Sequence, residues 1–208
     1  MCKILVLGGR GMLGQMVKII LSRQERFIVK STTHKKRPES FCFDIENGID
    51  GLRQIMEQQG SFDYIINCIG IISSKIDYKD SKSVCRAIQI NSLFPHDLSL
   101  LAMETGSRVI HISTDGVFGK NSGLCKENSS CDVHDLYGKT KSLGEVTAPN
   151  FLNIRTSIIG PNPIRKTGLL EWFLSQPKDG EVYGFTDQKW NGVTTLQFAE
   201  LCKNLILD

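Results

Sequence analysis

Tyr137 and Lys141 are the residues of this sequence whose types and spacing best suit chemistry. A separation of four residues places both side chains on one face of a helix, where a phenol and an ammonium group can act together in proton transfer. The spacing alone is not specific, because Tyr78 and Lys82 repeat it. Only the later pair follows the predicted strand that leads into Thr114, so we select Tyr137 and Lys141 as the candidates.

A glycine-rich segment joins the first predicted strand to the first predicted helix and reads Gly8-Gly9-Arg10-Gly11-Met12-Leu13-Gly14. Without Cβ atoms in the way, backbone N–H groups of such a turn can approach a pyrophosphate at the helix N-terminus. Three glycines can also form a mere tight turn, but the position at the first strand-to-helix junction favours a dinucleotide site. The predicted cofactor contacts here are Gly8, Arg10, Gly11, Met12, Leu13 and Gly14.

The region after the second predicted strand indicates which dinucleotide binds. A chain that prefers NAD usually carries an acid there for the ribose hydroxyls, but residues 31–37 contain none and end in His-Lys-Lys-Arg. Lys35 and Arg10 can neutralise a 2′-phosphate, so NADP is favoured over NAD. The alternative is a solvated basic turn, because runs of charge usually lie on the surface.

Weaker cofactor contacts are predicted at the ends of the third and fourth strands. The Asp44 carboxylate can face an adenine amino group or can cap the next segment, and Asn67 can satisfy a turn. The predicted contacts are Asp44, Ile45, Cys68, Ile69 and Gly70.

Strands and helices alternate along the chain, which predicts a doubly wound parallel sheet of the Rossmann type in the α/β class, with ligands at the carboxyl ends of the strands. We assign residues 1–160 to this domain and residues 161–208 to a small, incomplete C-terminal substrate lobe, in which Trp172 and Phe173 are expected to pack on the core. The predicted strands are 3–7, 27–33, 41–44, 64–69, 108–112 and 151–159. The predicted helices are 12–21, 49–59, 84–105, where Pro95 starts a new turn or a kink, 137–146, 169–174 and 196–207, and residues 181–185 are expected to be extended.

The composition excludes several classes of protein. With 208 residues and a net charge of +3, the chain suits a globular domain and gives no sign of a nucleic-acid partner. No apolar run reaches the roughly 20 residues of a membrane span and no signal-peptide cleavage region follows Met1, so we expect a cytoplasmic protein without a membrane partner. The 7 cysteines form no C-x-x-C pair, and His111 and His134 lack ligand-like spacing, so no metal site is predicted.

Together these motifs resemble the extended short-chain dehydrogenases/reductases, specifically the dTDP-4-dehydrorhamnose reductase family. The resemblance covers nearly the whole chain. It is carried by Gly8 to Gly14, by Asn91, by Ser113-Thr114-Asp115-Gly116-Val117-Phe118, by Tyr137 to Lys141 with Gly144-Glu145, and by Arg155 to Gly160.

The resemblance implies a mechanism and a set of roles. Tyr137 would donate a proton to a carbonyl oxygen that Thr114 also hydrogen-bonds, while NADPH delivers hydride to the carbon. Lys141 would lower the tyrosine pKa from its ordinary value near 10 and bind the nicotinamide ribose. Asn91 would anchor the water that reprotonates Lys141. Asp115 would contact a sugar hydroxyl or else bond backbone amides in its own loop.

By the same resemblance, the chain would be an NADPH-dependent reductase of a nucleotide-linked 4-keto-6-deoxy sugar in cell-surface polysaccharide synthesis, and a homodimer remains open. Gly116 stands where the family carries an aromatic residue, which widens that corner or frees its backbone. The small lobe favours one alternative, a cofactor-binding regulatory or scaffold protein without turnover. A third alternative is a sugar-nucleotide epimerase or dehydratase, although Asp115 and Gly116 do not supply the acid pair of a dehydratase.

Overall fold

The structure is a computed structural model that describes residues 1–119, 123–187 and 190–208. In these residues, strands and helices alternate. The strands are β1 (Cys2–Leu7), β2 (Phe27–Thr33), β3 (Phe41–Cys42), β4 (Tyr64–Asn67), β5 (Arg108–Ile112), β6 (Phe151–Ile154), β7 (Ile158–Ile159) and β8 (Val193–Thr194). The α-helices are α1 (Met12–Leu21), α2 (Asp50–Gln59), α3 (Ser81–Ile88), α4 (Phe94–Thr105), α5 (Leu136–Leu143), α6 (Leu169–Leu174) and α7 (Thr195–Leu207).

Six strands form one parallel sheet in the order β3-β2-β1-β4-β5-β6. The chain order reverses between β1 and β4, and the carboxyl ends of the strands around such a reversal enclose the usual ligand crevice of an open α/β sheet. The predicted doubly wound Rossmann-type fold is confirmed.

Both faces of the sheet are apolar, and each is covered by helices. Alternate residues of β1 divide between the faces: Leu5 and Leu7 pack with α2 and α4, whereas Ile4 and Val6 pack with α1 and α7. All four side chains are fully buried. The central strand is therefore apolar from Ile4 to Leu7, as expected of a parallel sheet covered on both sides.

A π-helical segment, Gln89–Leu93, joins α3 to α4 without a break. The Phe94 N–H donates to the Gln89 carbonyl five residues earlier, which is the π-helical bond. Pro95 follows in the first turn of α4, and because the helix continues from the π segment without a break, its missing N–H leaves one position of the helical hydrogen-bond ladder without a donor. The predicted helix over 84–105 thus exists, begins earlier, and contains a widened turn just before the proline.

Several predicted elements differ from the structure in their type or bounds. The strand expected over 151–159 is divided into β6 and β7, because residues 155–157 leave the main sheet and β7 pairs with β8 instead. The segment 181–185, expected to be extended, forms no strand. Helix α5 ends at Leu143 rather than 146, where Gly144 caps it.

The two C-terminal helices have different surroundings. Helix α7 buries Phe198, Ala199 and Cys202 against the same apolar cluster as α1, so it belongs to the helical layer of the main sheet. The boundary at residue 160 remains a prediction, but α7 does not pack as part of a separate lobe. The expected packing of Trp172 and Phe173 is wrong, since these α6 side chains are 48% and 57% exposed.

Among the described residues, none of the helices combines the length and the apolar character needed to cross a membrane.

Candidate active site

The glycine segment folds into a tight connection between β1 and α1. Gly8 has φ of +75°, a left-handed conformation that favours glycine, and its carbonyl accepts a 2.8 Å hydrogen bond from the Gly11 N–H. A Cβ on Gly14 would lie 2.3 Å from the Gly8 oxygen. Helix α1 can therefore approach β1 this closely only because position 14 is glycine.

A cleft of about 490 Å³ opens beside this segment, at the carboxyl ends of the central strands. Most of the predicted cofactor contacts line it, which brings residues far apart in sequence into one site. These are Gly8, Arg10, Gly11, Asp44, Ile45, Cys68, Ile69 and Gly70.

Six predicted cofactor residues do not line the cleft, namely Met12, Leu13, Gly14, Lys35, Tyr137 and Lys141. Leu13 and Gly14 are buried in the packing of α1 on the sheet, and Met12 begins that helix beside them. Because Gly11 caps α1 without a side chain, the first helical N–H groups have no side-chain partner. Lys35 is exposed, and the structure records its backbone carbonyl as the acceptor from the Thr33 hydroxyl.

The sequence interpretation missed several cationic side chains of the cleft. His34 belongs to the predicted basic turn, but Lys75, Arg86 and Arg165 come from three distant segments. Arg86 pairs with Glu46, which also lines the cleft, at 2.6 Å. No short sequence motif identifies these residues, because they come together only in the folded chain.

Asp44 and Asn67 serve their local structure. The Asp44 carboxylate accepts from the Glu46 N–H at 3.1 Å and so caps the next turn, although it also lines the cleft. The side chain of Asn67 is fully buried, accepts from the Ile69 N–H at 3.1 Å and lies 3.0 Å from Nδ1 of His111. Asn67 thus shapes the turn that presents the end of β4 to the cleft.

Lys141 is buried at the inner edge of the cleft. Its Nζ donates a 2.6 Å hydrogen bond to the Ile112 carbonyl, and a Cβ built on cleft residue Gly70 would lie 3.9 Å from that Nζ. Burial lowers the pKa of Lys141 from 10.5 to about 8, although the nearby Glu145 carboxylate acts in the opposite direction. The ammonium group is therefore easily deprotonated for a lysine.

Asn91 lies in the π segment and holds the loop after β4. Its side-chain oxygen accepts from the Ile71 N–H and its amide donates to the Ile71 carbonyl, both at 2.9 Å. The same amide lies 3.2 Å from the Thr140 hydroxyl oxygen. The side chain is thus engaged by protein groups, and its predicted role as a water anchor stays a prediction.

Tyr137 lies in the first turn of α5, whose N-cap Asp135 accepts from the Gly138 N–H at 2.9 Å. Burial raises the pKa of Tyr137, and Asp115 and Asp135 raise it further, while a hydrogen bond with Thr114 lowers it in part. The structure therefore differs from the expectation that Lys141 lowers this pKa. The reason is geometric, because the lysine ammonium is directed to a backbone carbonyl.

Asp115 and Gly116 complete the loop that carries Thr114. Both Asp115 carboxylate oxygens accept from the Ser157 hydroxyl, at 2.6 and 2.8 Å, so Asp115 ties the loop to the segment before β7. Gly116 donates its N–H to the Thr114 hydroxyl oxygen at 3.1 Å, and a Cβ on Gly116 would lie 3.2 Å from that oxygen. Glycine at 116 thus leaves room beside the threonine.

The repeated Tyr-Lys spacing at Tyr78 and Lys82 does not form a second site. Tyr78 precedes α3, is 51% exposed, and bonds to the Ser73 hydroxyl at 3.1 Å. His111 is buried in β5, where burial lowers its pKa well below the ordinary value, as expected of a structural histidine. The described part of the chain contains no cluster of three or more metal-ligating side chains.

The site combines the glycines between β1 and α1, the cleft beside them and the buried Lys141 next to Gly70. These features define a dinucleotide-binding protein of the short-chain dehydrogenase/reductase type. The model of the RmlD substrate binding domain family matches residues 2–204. The chain belongs to that family.

Individual relatives agree with this assignment. The spore coat polysaccharide biosynthesis protein SpsK of Bacillus subtilis is 30% identical over 164 residues, which are 76% of this chain and 53% of SpsK. The chain therefore spans about half the length of this relative. A hypothetical dTDP-4-dehydrorhamnose reductase from Sulfolobus tokodaii superposes with a TM-score of 0.82 at 23% identity, over 99% of this chain and 72% of that one. The Bacillus anthracis dTDP-4-dehydrorhamnose reductase in complex with NADP superposes with a TM-score of 0.79 at 20% identity, over 100% of this chain and 72% of that one. At these identities the superpositions establish the fold.

Proposed function

We propose that the chain is the cofactor-binding part of an NADPH-dependent reductase that acts on a nucleotide-linked 4-keto-6-deoxy sugar in polysaccharide precursor synthesis. One observation carries the proposal: Gly70 lines the glycine-edged cleft and at the same time adjoins the buried Nζ of Lys141. A dinucleotide held in the cleft would therefore reach the Lys141 group. The name of SpsK agrees with polysaccharide synthesis, and the names of the two superposed reductases agree with this substrate class.

The residues of the cleft suit a dinucleotide. Gly11 caps α1 without a side-chain hydrogen bond, so the first N–H groups of the helix are available to a bound pyrophosphate. Arg10 lines the same cleft and would pair with a 2′-phosphate, with His34 nearby in the basic turn. When bound, NADPH supplies hydride to the substrate carbonyl carbon.

Tyr137, Thr114 and Lys141 would handle the proton. The Thr114 hydroxyl, already paired with the tyrosine, would hydrogen-bond the carbonyl oxygen that Tyr137 protonates. A phenol with a raised pKa stays protonated at neutral pH but is a weak acid, so a cation must come close to it during the reaction. Lys141 is the nearby candidate, and its nicotinamide-ribose contact is part of the same proposal.

The test is NADPH oxidation, followed at 340 nm, against a panel of dTDP-, UDP- and GDP-linked 4-keto sugars. We expect oxidation with at least one sugar and its loss in Tyr137→Phe, with NADPH affinity nearly unchanged because the phenyl ring is retained. Tyr78→Phe is the matched control and should retain turnover. Normal turnover by Tyr137→Phe would eliminate the assigned proton donor.

A second candidate, a cofactor-binding regulatory protein without turnover, is favoured by the raised pKa of Tyr137. It is distinguished by NADPH binding in fluorescence titration with no oxidation by any sugar of the panel. A cytoplasmic location and a homodimer belong to the main proposal. Light scattering on the purified chain tests the dimer.

A further inference from the structure

We propose that Glu145 is a positioning residue with two roles. It holds both ends of the loop from Ser113 to Phe118, called the Thr114 loop below, and it maintains the positive charge on Lys141. This inference deepens the proposed function and rests on it. Glu145 follows α5 directly after the cap residue Gly144, and its side chain is only 10% exposed.

The Glu145 carboxylate holds the first end of the loop directly. Its Oε1 accepts a 2.5 Å hydrogen bond from the hydroxyl of Ser113, the residue immediately before Thr114. A short bond to a carboxylate is among the stronger hydrogen bonds in proteins. The contact fixes the backbone position from which the Thr114 side chain projects.

The same carboxylate holds the second end through Arg155. The Arg155 guanidinium donates from Nε and Nη2 to the Glu145 oxygens, at 2.9 and 3.1 Å from Nε and 2.7 Å from Nη2. It also lies 5.1 Å from the centre of the Phe118 ring, a cation–π contact with the far end of the loop. Nη1 donates to the Glu127 carbonyl at 3.0 Å, which ties down the following segment.

The third connection of Glu145 is electrostatic and reaches Lys141. The two charged groups bond to successive residues, since Nζ of Lys141 donates to the Ile112 carbonyl and Oε1 of Glu145 accepts from the Ser113 hydroxyl. The described groups next to the ammonium are the Ile112 carbonyl, which accepts its hydrogen bond, and the Gly70 backbone, where a Cβ would lie 3.9 Å from Nζ.

The two other titratable groups near the ammonium, His111 and Tyr137, carry no charge that would change its protonation. His111 on β5 remains neutral because its pKa is lowered well below the ordinary value, and Tyr137 on α5 is a protonated phenol. The Glu145 carboxylate is thus the negative charge that favours ammonium over amine, while Arg155 opposes it in part.

Glu145→Gln tests the proposal, because glutamine keeps the shape and can still accept from Ser113 but removes the charge. We expect the alkaline limb of the pH profile for NADPH oxidation to move to lower pH by about half a unit or more, with kcat reduced about tenfold and the KM for NADPH within about twofold. Ser113→Ala is the matched control: it should lower kcat while the limb stays in place. A fixed limb in Glu145→Gln would overturn the charge-maintaining role.

A measurement without turnover separates this inference from the proposed function. In protein carrying ¹³C-labelled lysine side chains, the Lys141 signal is identified by its absence in Lys141→Met and titrated by NMR. The midpoint should fall below its wild-type value in Glu145→Gln and rise in Arg155→Met, where Glu145 loses its cationic partner. Midpoints that coincide in all three proteins overturn the inference whether or not any sugar is reduced. If Glu145→Gln fails to fold, the Arg155→Met titration alone decides the sign.

Discussion

The ammonium group of Lys141 donates a 2.6 Å hydrogen bond to the carbonyl of Ile112, the last residue of β5. Thr114 follows only two residues later, so this bond fixes helix α5 relative to the loop that carries the threonine. A side chain assigned to chemistry therefore also fastens an element to the sheet. The bond keeps the lysine in a buried place where its charge is costly.

That cost predicts that Lys141→Met stabilises the protein at neutral pH. The pKa of Lys141 is about 8 in the folded chain against an ordinary 10.5, so between these values the unfolded state binds more protons and stability rises with pH. Below pH 8 the penalty is fully present, about 3 kcal/mol as an upper limit, offset by a hydrogen bond worth about 1 kcal/mol. We expect a gain in unfolding free energy of about 2 kcal/mol at pH 7, which disappears near pH 10.5.

Urea denaturation at the two pH values measures this difference. Lys139→Met is the matched control, because Lys139 lies exposed on the same helix and its replacement should have no pH-dependent effect. A Lys141→Met protein less stable than wild type at pH 7 would show that burial does not penalise the lysine.

Gly14→Ala should damage both the fold and the cofactor site. The new Cβ would lie 2.3 Å from the Gly8 oxygen. The backbone fixes the positions of both atoms, so neither can rotate away. We expect a loss of about 3 kcal/mol in unfolding free energy and a loss of NADPH binding, since α1 must move away from β1. Gly184→Ala, with nothing within 4 Å of the new atom, should leave both measurements unchanged.

Arg10 and Lys35 can be separated by their effects on cofactor choice. Wild-type protein should bind NADPH at least about tenfold more tightly than NADH, a difference of about 1.4 kcal/mol. Arg10→Ala should abolish most of this preference because Arg10 lines the cleft, whereas Lys35→Ala should retain it. Fluorescence titrations with both nucleotides provide the measurement, and equal wild-type affinities would contradict the assignment of NADP.

Asn91→Ala should destabilise the chain through the backbone of Ile71. The variant leaves a buried N–H and a buried carbonyl without their 2.9 Å partners, which costs about 2 to 4 kcal/mol. Ser92→Ala, which removes one bond to the Thr140 carbonyl, should cost only about 1 kcal/mol. If denaturation shows equal small losses, the Asn91 contacts with Ile71 are not structural anchors.

The sequence predicts the parts of this site that lie in contiguous motifs. The glycines follow an apolar strand and open an apolar helix, and Tyr137 and Lys141 share one helical face after the strand that leads into Thr114, so local spacing together with the order of the elements is sufficient to find them. The alternation of apolar segments predicts the parallel sheet for the same reason. Strand boundaries fail where tertiary contacts intervene, as at Arg155, whose pairing with Glu145 takes the chain out of the sheet after β6.

The rest of the site depends on distances that no local pattern encodes. Arg165 lines the cleft from a segment more than a hundred residues beyond the glycines, and Lys75 belongs to a loop without a motif. The raised pKa of Tyr137 also escapes prediction, because it depends on burial and on where the Lys141 ammonium is directed. A lysine is usually exposed, and only the packing of the folded chain shows that Lys141 is buried.

The widened turn at Gln89–Leu93 is equivalent to one inserted residue in an otherwise regular helix. Deleting one residue there would restore α-helical geometry, and because the widened turn absorbs the extra residue, α3 and α4 would keep their faces while the widened turn itself would disappear. The Asn91 side chain would then lose its hydrogen bonds with Ile71. The close packing of the Asn91 carbonyl on Gly144, where a Cβ would lie 1.9 Å from the carbonyl oxygen, would also be lost. Homologous chains aligned across this helix should therefore keep its length constant, even where they tolerate gaps in the neighbouring loops.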